Sequence, residues 1–328
     1  MPLSSQSNRP ARAFSLADLF WIIFIVALLI TILLPSLSRS RQQAKYAVCS
    51  SNLRGIGLAV HIYANDFREW MPMHYFAPPT GPGDKYVVNV NWVGTMGSND
   101  FLRISQPTTP EISADKNHPS RSQFLLVMGG MLTTGAFVCP SGPDRLDDLR
   151  NYGPDADEGN TESTARIGKS RFDFAGYDRL SYGYQLPYGR RGRPRENLDS
   201  RMPIFADKGP YYADGGSGMA GTRTKRDRRS EVNPPAEWSN RAPMEIAKMP
   251  AESWREYNSR NHGGEGQNVL YVDGHVDYQR TPLAGVHRDN LYTIQSGFAN
   301  LSDGMIGRVP HADQPLGPLT NSDSFLVP

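Results

Sequence analysis

Cysteine is almost absent from this sequence, with two residues, Cys49 and Cys139, in a chain of 328. Paired Cys-x-x-Cys metal ligands are therefore excluded. No nucleophile elbow and no phosphate-binding loop occurs, and Gly-rich pieces such as Asp214 to Gly218 read as flexible loops. Net charge is also scarce: 35 Lys+Arg oppose 33 Asp+Glu for a balance of +2, which gives a polyanionic partner no field to follow. The basic runs Arg190 to Arg193 and Lys225 to Arg229 lack interleaved aromatics, so they read as exposed loops rather than a nucleic-acid surface. Long apolar runs are missing with one exception, Leu19 to Leu34.

That exception organises the chain. In LFWIIFIVALLITILL only Thr31 is polar, and with Phe14 to Ala17 before it and Pro35 to Leu37 behind, the segment spans about 24 residues. At about 1.5 Å per residue it crosses a hydrocarbon core of about 30 Å. Asp18 stands at its entrance, where a carboxylate near lipid demands a reason. Arg9 and Arg12 on one side and Arg39, Arg41 and Lys45 on the other are too evenly balanced for the positive-inside rule to fix the orientation. A secretory signal peptide cut near Ser36 or Ser38 is the competing reading; the length of the run and the acid at its entrance favour an anchor.

Residues 1–13 are polar and basic and need no folded role. From Phe14 the helical period continues far past the apolar run. Cys49, Leu53, Ile56, Val60, Tyr63 and Phe67 recur at alternating steps of four and three, one apolar seam on a polar helix of about 53 residues in all. Gly55 and Gly57 each cost such a helix about 1 kcal/mol relative to Ala, so this half depends on packing. Pro35 removes a donor and predicts a kink or loosening over Thr31 to Pro35.

Beyond Asp66 short apolar pieces alternate with Gly, Pro and Asp; with 31 glycines and 26 prolines, turns and loops abound. Tyr86 to Val93, Ala136 to Pro140, Leu180 to Tyr184 and Pro203 to Asp207 predict strands, and Gln123 to Met128 a short helix ending at Gly129-Gly130. Asn268 to Val272 and His275 to Gln279, joined by Asp273-Gly274, predict a hairpin with a two-residue loop whose positions both tolerate positive φ. After Pro282 periodicity fades into an irregular wrap or tail.

His262, Asp273 and His275, with Asp207 as a fourth, are metal-ligand types, as are Asp144, Asp147, Asp148, Asp155, Asp157 and Glu158 for calcium. The plainer reading prevails for both: Asp273 belongs to a turn, His275 starts the return strand, His262 bonds a neighbouring backbone, and the acids sit in solvated loops. Neither metal nor cofactor is expected. Cys49 lies on the seam and Cys139 ends an apolar piece; a disulfide joining helix to sheet and a pair of buried thiols both fit.

Cutting between Ala13 and Phe14 would create an α-amine four residues from Asp18, able to neutralise it within one chain or in a neighbour shifted along its axis. AFSLAD, the apolar run and SRSRQQAKYAVCSSNLRGIGLAVHIYAND resemble the cleavage and methylation segment of type IV prepilins and type II secretion pseudopilins. The resemblance implies Phe14 as the mature, methylated N-terminus and Asp18 as the assembly acid, with Ala13 where the family usually has Gly and Asp18 where it has Glu. Residues from Asn261 to Val276 resemble a C-terminal signature of pseudopilin-like chains, a His followed by Asp-Gly; here ten residues separate His262 from Asp273-Gly274, where nine is usual.

The expectation is an α+β, pilin-like fold: leader 1–13, membrane helix 14–38, its extracytoplasmic continuation 39–67, and a β-rich head 68–328. The resemblance implies a non-enzymatic subunit of the inner membrane, single-pass with its head extracytoplasmic, whose partners are a prepilin peptidase and other pilin-like subunits. The runner-up is an anchored binding protein for a glycan or envelope component, with Trp92, Trp238 or Trp254 as stacking platforms. An anchored metal-dependent hydrolase, needing His262, His275 and an acid to converge, comes third.

Overall fold

The computed structural model describes residues 16–73, 119–149, 174, 179–187, 194–212, 234–295, 301–308, 318 and 320–327. The leader with Ala13 and Phe14, the strand expected at Tyr86 to Val93, Trp92, the acids Asp155 to Glu158, both basic runs and the Gly-rich piece lie outside these residues. The chain divides into two compact units, Met1–Ala44 and Lys45–Pro328.

Helix α1, Leu16–Asp66, contributes to both units and holds Asp18 in its first turn. In the first unit its apolar stretch, Leu16–Leu34, has none of its residues buried within the chain. Thr31 keeps its hydroxyl satisfied inside the helix by donating to the Ala27 carbonyl at 2.8 Å. The helix runs on through Pro35 without interruption.

In the second unit the seam is as expected for five of its six residues: Cys49, Leu53, Ile56, Val60 and Tyr63 are buried. Phe67 leaves it, half exposed, because the helix has already ended at Asp66. Arg68 and Glu69 take left-handed φ of 57° and 67°, and the Glu69 N–H turns back to the Ala64 carbonyl at 2.8 Å, closing the last turn. The Phe67 ring stacks on Tyr63 instead, with centroids 4.2 Å apart.

The sheet has strands β1 (Tyr182–Gln185), β2 (Pro203–Asp207), β3 (Gln267–Tyr271), β4 (Val276–Gln279) and β5 (Leu326–Val327) in the order β4-β3-β2-β1-β5. All neighbours are antiparallel. Every residue of β1, β2 and β3 is buried, so both faces of the sheet's centre are covered. Cross-strand pairing puts Tyr182, Tyr184, Phe205, Asp207 and Leu270 on one face. That face meets α1: the Tyr182 hydroxyl donates to the Cys49 carbonyl at 3.4 Å, and Gly57 abuts Leu270.

The chain after Pro282 covers the other face and is no loose tail. Tyr292 donates its hydroxyl to the Asp207 carbonyl at 2.8 Å, and the Leu326 N–H bonds the Leu291 carbonyl at 2.8 Å before β5 joins the edge of β1. A strand of two residues is too short to show a period of its own.

Two local expectations change. Ala136 to Pro140 is no strand: Thr134–Phe137 forms a 3-10 turn, and the segment reaches the sheet region through one backbone bond, from the Ser181 N–H to the Phe137 carbonyl at 2.8 Å. The hairpin exists, but its loop has three residues, Val272, Asp273 and Gly274, between the bonded pair Tyr271 and His275. Within it only Gly274 has positive φ, at 86°, the geometry of a type I turn closed by a left-handed glycine. The helix expected at Gln123 to Met128 is α2, Pro119–Met128.

Candidate functional site

The polar centre of the head is built on Asp207, the last residue of β2, which the strand's alternation turns toward α1 among Tyr182, Tyr184 and Leu270. An acid there is tolerable only with full hydrogen bonding. Its Oδ1 accepts from Asn261 Nδ2 at 3.0 Å; its Oδ2 accepts from the Asn268 N–H at 2.7 Å and Nδ2 at 3.2 Å. The last donor is His262 Nε2, 2.9 Å from Oδ2, with both side chains fully buried.

A short 3-10 turn, Arg260–His262, positions two of these donors; Ser259 caps it by accepting from the Asn261 N–H, and Gly263 ends it at φ 67°. Nε2 faces the carboxylate and also lies 3.1 Å from Asn268 Nδ2, while Nδ1 is buried without a hydrogen-bond partner. Tyr46 of α1 stands edge-on to the imidazole, centroids 4.4 Å apart, and stacks on Tyr278 of β4.

The two cysteines complete the cluster. Cys49 and Cys139 form a disulfide with Cα atoms 5.2 Å apart, resolving the choice between a bond and two thiols. Cys139 Sγ lies 3.9 Å from His262 Nε2. Both sulfurs, an Asp207 oxygen and a His262 ring nitrogen fall within 4.8 Å of one another, all buried. Around the acid the phenols are held neutral: burial, then the Asp207 charge, pushes the Tyr182 and Tyr292 hydroxyls far above their ordinary range.

Of the metal-type residues considered from sequence, the structure joins His262 with Asp207 and leaves Asp273 and His275 paired with each other in the exposed hairpin turn. Slight burial notwithstanding, the His275 backbone N–H and ring hold the Asp273 carboxyl below its ordinary value. His262 therefore bonds side chains rather than a neighbouring backbone, and His275 pairs with Asp273 instead. His262 and Asp273-Gly274 stand at the two ends of β3, so the ten residues between them measure one strand with its entry and exit turns.

Other expectations are corrected in the same way. Asp144 is not solvated: Lys208 Nζ donates to it at 2.6 Å and Ser181 Oγ at 2.8 Å, with both charged side chains almost fully buried. Asp147 is buried as well, its carbonyl accepting from Thr134 Oγ1 at 2.6 Å. Trp254 is fully buried in a small second core with Ile246, Met305 and Ile306, and Trp238 packs edge-on to it at 5.2 Å, so Trp254 offers no stacking platform. Sequence reasoning missed Asn261, Asn268 and Tyr46, because buried amides and a helix tyrosine carry no spacing signal.

The architecture is α+β and pilin-like: a long helix, apolar over its first part, whose later part packs on an antiparallel sheet of five strands. A family model described as a protein of unknown function, DUF1559, matches residues 38–196. The matched span begins after the apolar run, contains both cysteines and ends before Asp207 and His262. No curated protein and no solved structure matches.

Proposed function

We propose that this chain is a pseudopilin-like subunit, cut between Ala13 and Phe14 by a prepilin peptidase and assembled with like subunits through its apolar helix into a pilus-like or type II secretion-linked structure. The observation that carries the reading is the stretch Leu16–Leu34 of α1, 19 residues that are apolar except for Asp18 in the first turn and Thr31, with none buried in the chain. Such a surface calls for lipid, for neighbouring helices, or for each in turn. The disulfide supports a head folded on the oxidising side of the inner membrane. In this reading the subunit catalyses nothing; the chemistry belongs to its processing enzyme.

Mass spectrometry of the protein taken from its native envelope tests this. The expected N-terminus is Phe14 carrying a methyl group. An intact Met1, or a cut near Ser36 or Ser38 as a signal peptidase would make, overturns the reading.

A further inference from the structure

Assembly through the helix leaves the buried cluster beneath it without a role. We propose that the chain with its cysteines reduced binds a thiophilic divalent cation of the Zn2+ type on Cys49, Cys139, His262 and Asp207, and that disulfide formation closes this site.

The four ligand atoms already lie within 4.8 Å of one another in a buried place. A tetrahedral zinc ion with bonds of about 2.0–2.3 Å sets its ligand atoms about 3.3–3.8 Å apart. Reduction therefore has to let the sulfurs separate and His262 Nε2 and Asp207 Oδ2, 2.9 Å apart, open slightly while the longer gaps close. Two thiolates, an imidazole and a carboxylate are donors that zinc accepts. The orienting contacts are in place too. Asn261 Nδ2 holds Asp207 Oδ1 at 3.0 Å and the Asn268 N–H holds Oδ2 at 2.7 Å, the kind of outer hydrogen bond that fixes a liganding carboxylate.

Charge favours the exchange. A phosphine supplies two electrons and becomes its oxide, with water giving the oxygen and the two protons, or a dithiol supplies both electrons and protons and becomes a disulfide; either way Cys49 and Cys139 become two thiols. The cation then displaces both thiol protons to the solvent, and His262, bound through Nε2, carries its ring proton on Nδ1. A neutral disulfide is thus replaced by a neutral metal dithiolate, and the cluster keeps the charge of Asp207 alone, so no new net charge is buried. The inference concerns the head only and stands apart from the fibre-subunit reading, whose N-terminal mass it leaves unchanged.

The test uses the full chain in detergent, reduced with tris(2-carboxyethyl)phosphine under anaerobic conditions and titrated with Co2+. Expected are a single bound Co2+ with thiolate charge-transfer and tetrahedral visible bands, its displacement by Zn2+, and no such bands for the oxidised chain. Cys139→Ser should abolish the charge-transfer band, His262→Ala should weaken binding at least about tenfold, and His275→Ala should leave it unchanged. Should reduction loosen the fold, Zn2+ is expected to restore the near-ultraviolet dichroism and to protect both cysteines from iodoacetamide. Failure of Co2+ to bind, binding without the thiolate band, indifference to His262→Ala, or an unfolded reduced chain that Zn2+ does not refold each overturns the proposal.

Discussion

Gly57 of α1 lies so close to Leu270 of β3 that a Cβ on the glycine would stand 2.9 Å from Leu270 Cδ1. The helix meets the sheet at a glycine because nothing larger fits there, and the propensity lost at that position is offset by packing. Leu270 is itself fully buried. Gly57→Ala should therefore destabilise the head by up to about 2 kcal/mol, since overpacking of about 1–3 kcal/mol offsets or exceeds the gain in helix propensity of about 1 kcal/mol. Gly55, two residues away, has nothing within 4 Å of the same hypothetical atom, and Gly55→Ala should stabilise by up to about 1 kcal/mol. Urea unfolding in detergent, followed by tryptophan fluorescence, reads both; the same sign for the two variants would refute the contact as the cause.

The disulfide fastens α1 to the segment following the 3-10 turn across a sequence separation of 90. Chain entropy puts the loss on removing it at about 4 kcal/mol, a large part of the stability of an ordinary domain. The double variant Cys49→Ala/Cys139→Ala should unfold at a much lower urea midpoint, with early loss of hydrogen-exchange protection in α1 beyond Lys45. An unchanged midpoint would show that the seam alone holds the helix.

Asp289 lies buried in the C-terminal wrap. Burial first, and then the neighbouring Asp323 charge, raises its carboxyl well above the ordinary value, while the Ser324 N–H donates to it at 2.5 Å. With the folded value above the unfolded one, the stabilising contribution is complete below about pH 4 and is lost as pH rises through the folded value. Asp289→Asn should remove that loss. Urea midpoints between pH 5 and 8 are expected to fall for the natural chain more steeply than for the variant, and parallel curves would rule out Asp289 as the group responsible.

Much of this fold is legible in the sequence, and the failures have physical causes. The seam from Cys49 to Tyr63 is readable because one face of a helix is buried on a sheet. Phe67 breaks the pattern only because Arg68 and Glu69 adopt left-handed backbone that nothing in their type announces. The hairpin is readable from Asp273-Gly274, but its register is not: Asp-Gly serves a two-residue loop or the end of a three-residue one, and a shift of one residue separates them. Asp207 and His262 can be picked out as ligand types. Their meeting, and the two asparagines that complete it, depend on β2 and β3 pairing across a separation of 61 residues, which no local pattern encodes.

That loop yields a further expectation. Gly274 holds φ at 86° where a side chain is strained, and Gly274→Val should cost about 1–2 kcal/mol, whereas Gly274→Asn, a residue that visits this region, should cost less. Equal losses for the two would refute backbone strain as the cause, since the nearest neighbour of an added Cβ, His61 Nε2 at 3.6 Å, is only in ordinary contact.

Asp18 carries the assembly reading. It sits in the first turn of a helix whose next residues, Leu19 to Ile25, are exposed and apolar. If the helix enters lipid as proposed, a carboxylate at its entrance costs a few kcal/mol by insertion scales unless a cation meets it. Proteolysis before Phe14 would place an α-amine four residues away, on the same chain or on a neighbour displaced along the axis. If the amine of the neighbour is the partner, Asp18→Ala should insert into the membrane and be processed at Phe14 as usual while failing to crosslink to adjacent subunits. Asp18→Glu should restore the crosslinks, and Asp18→Asn, which keeps the shape without the charge, should not. Crosslinking of the Asn variant at the natural level would show that shape rather than charge sets the stagger between helices.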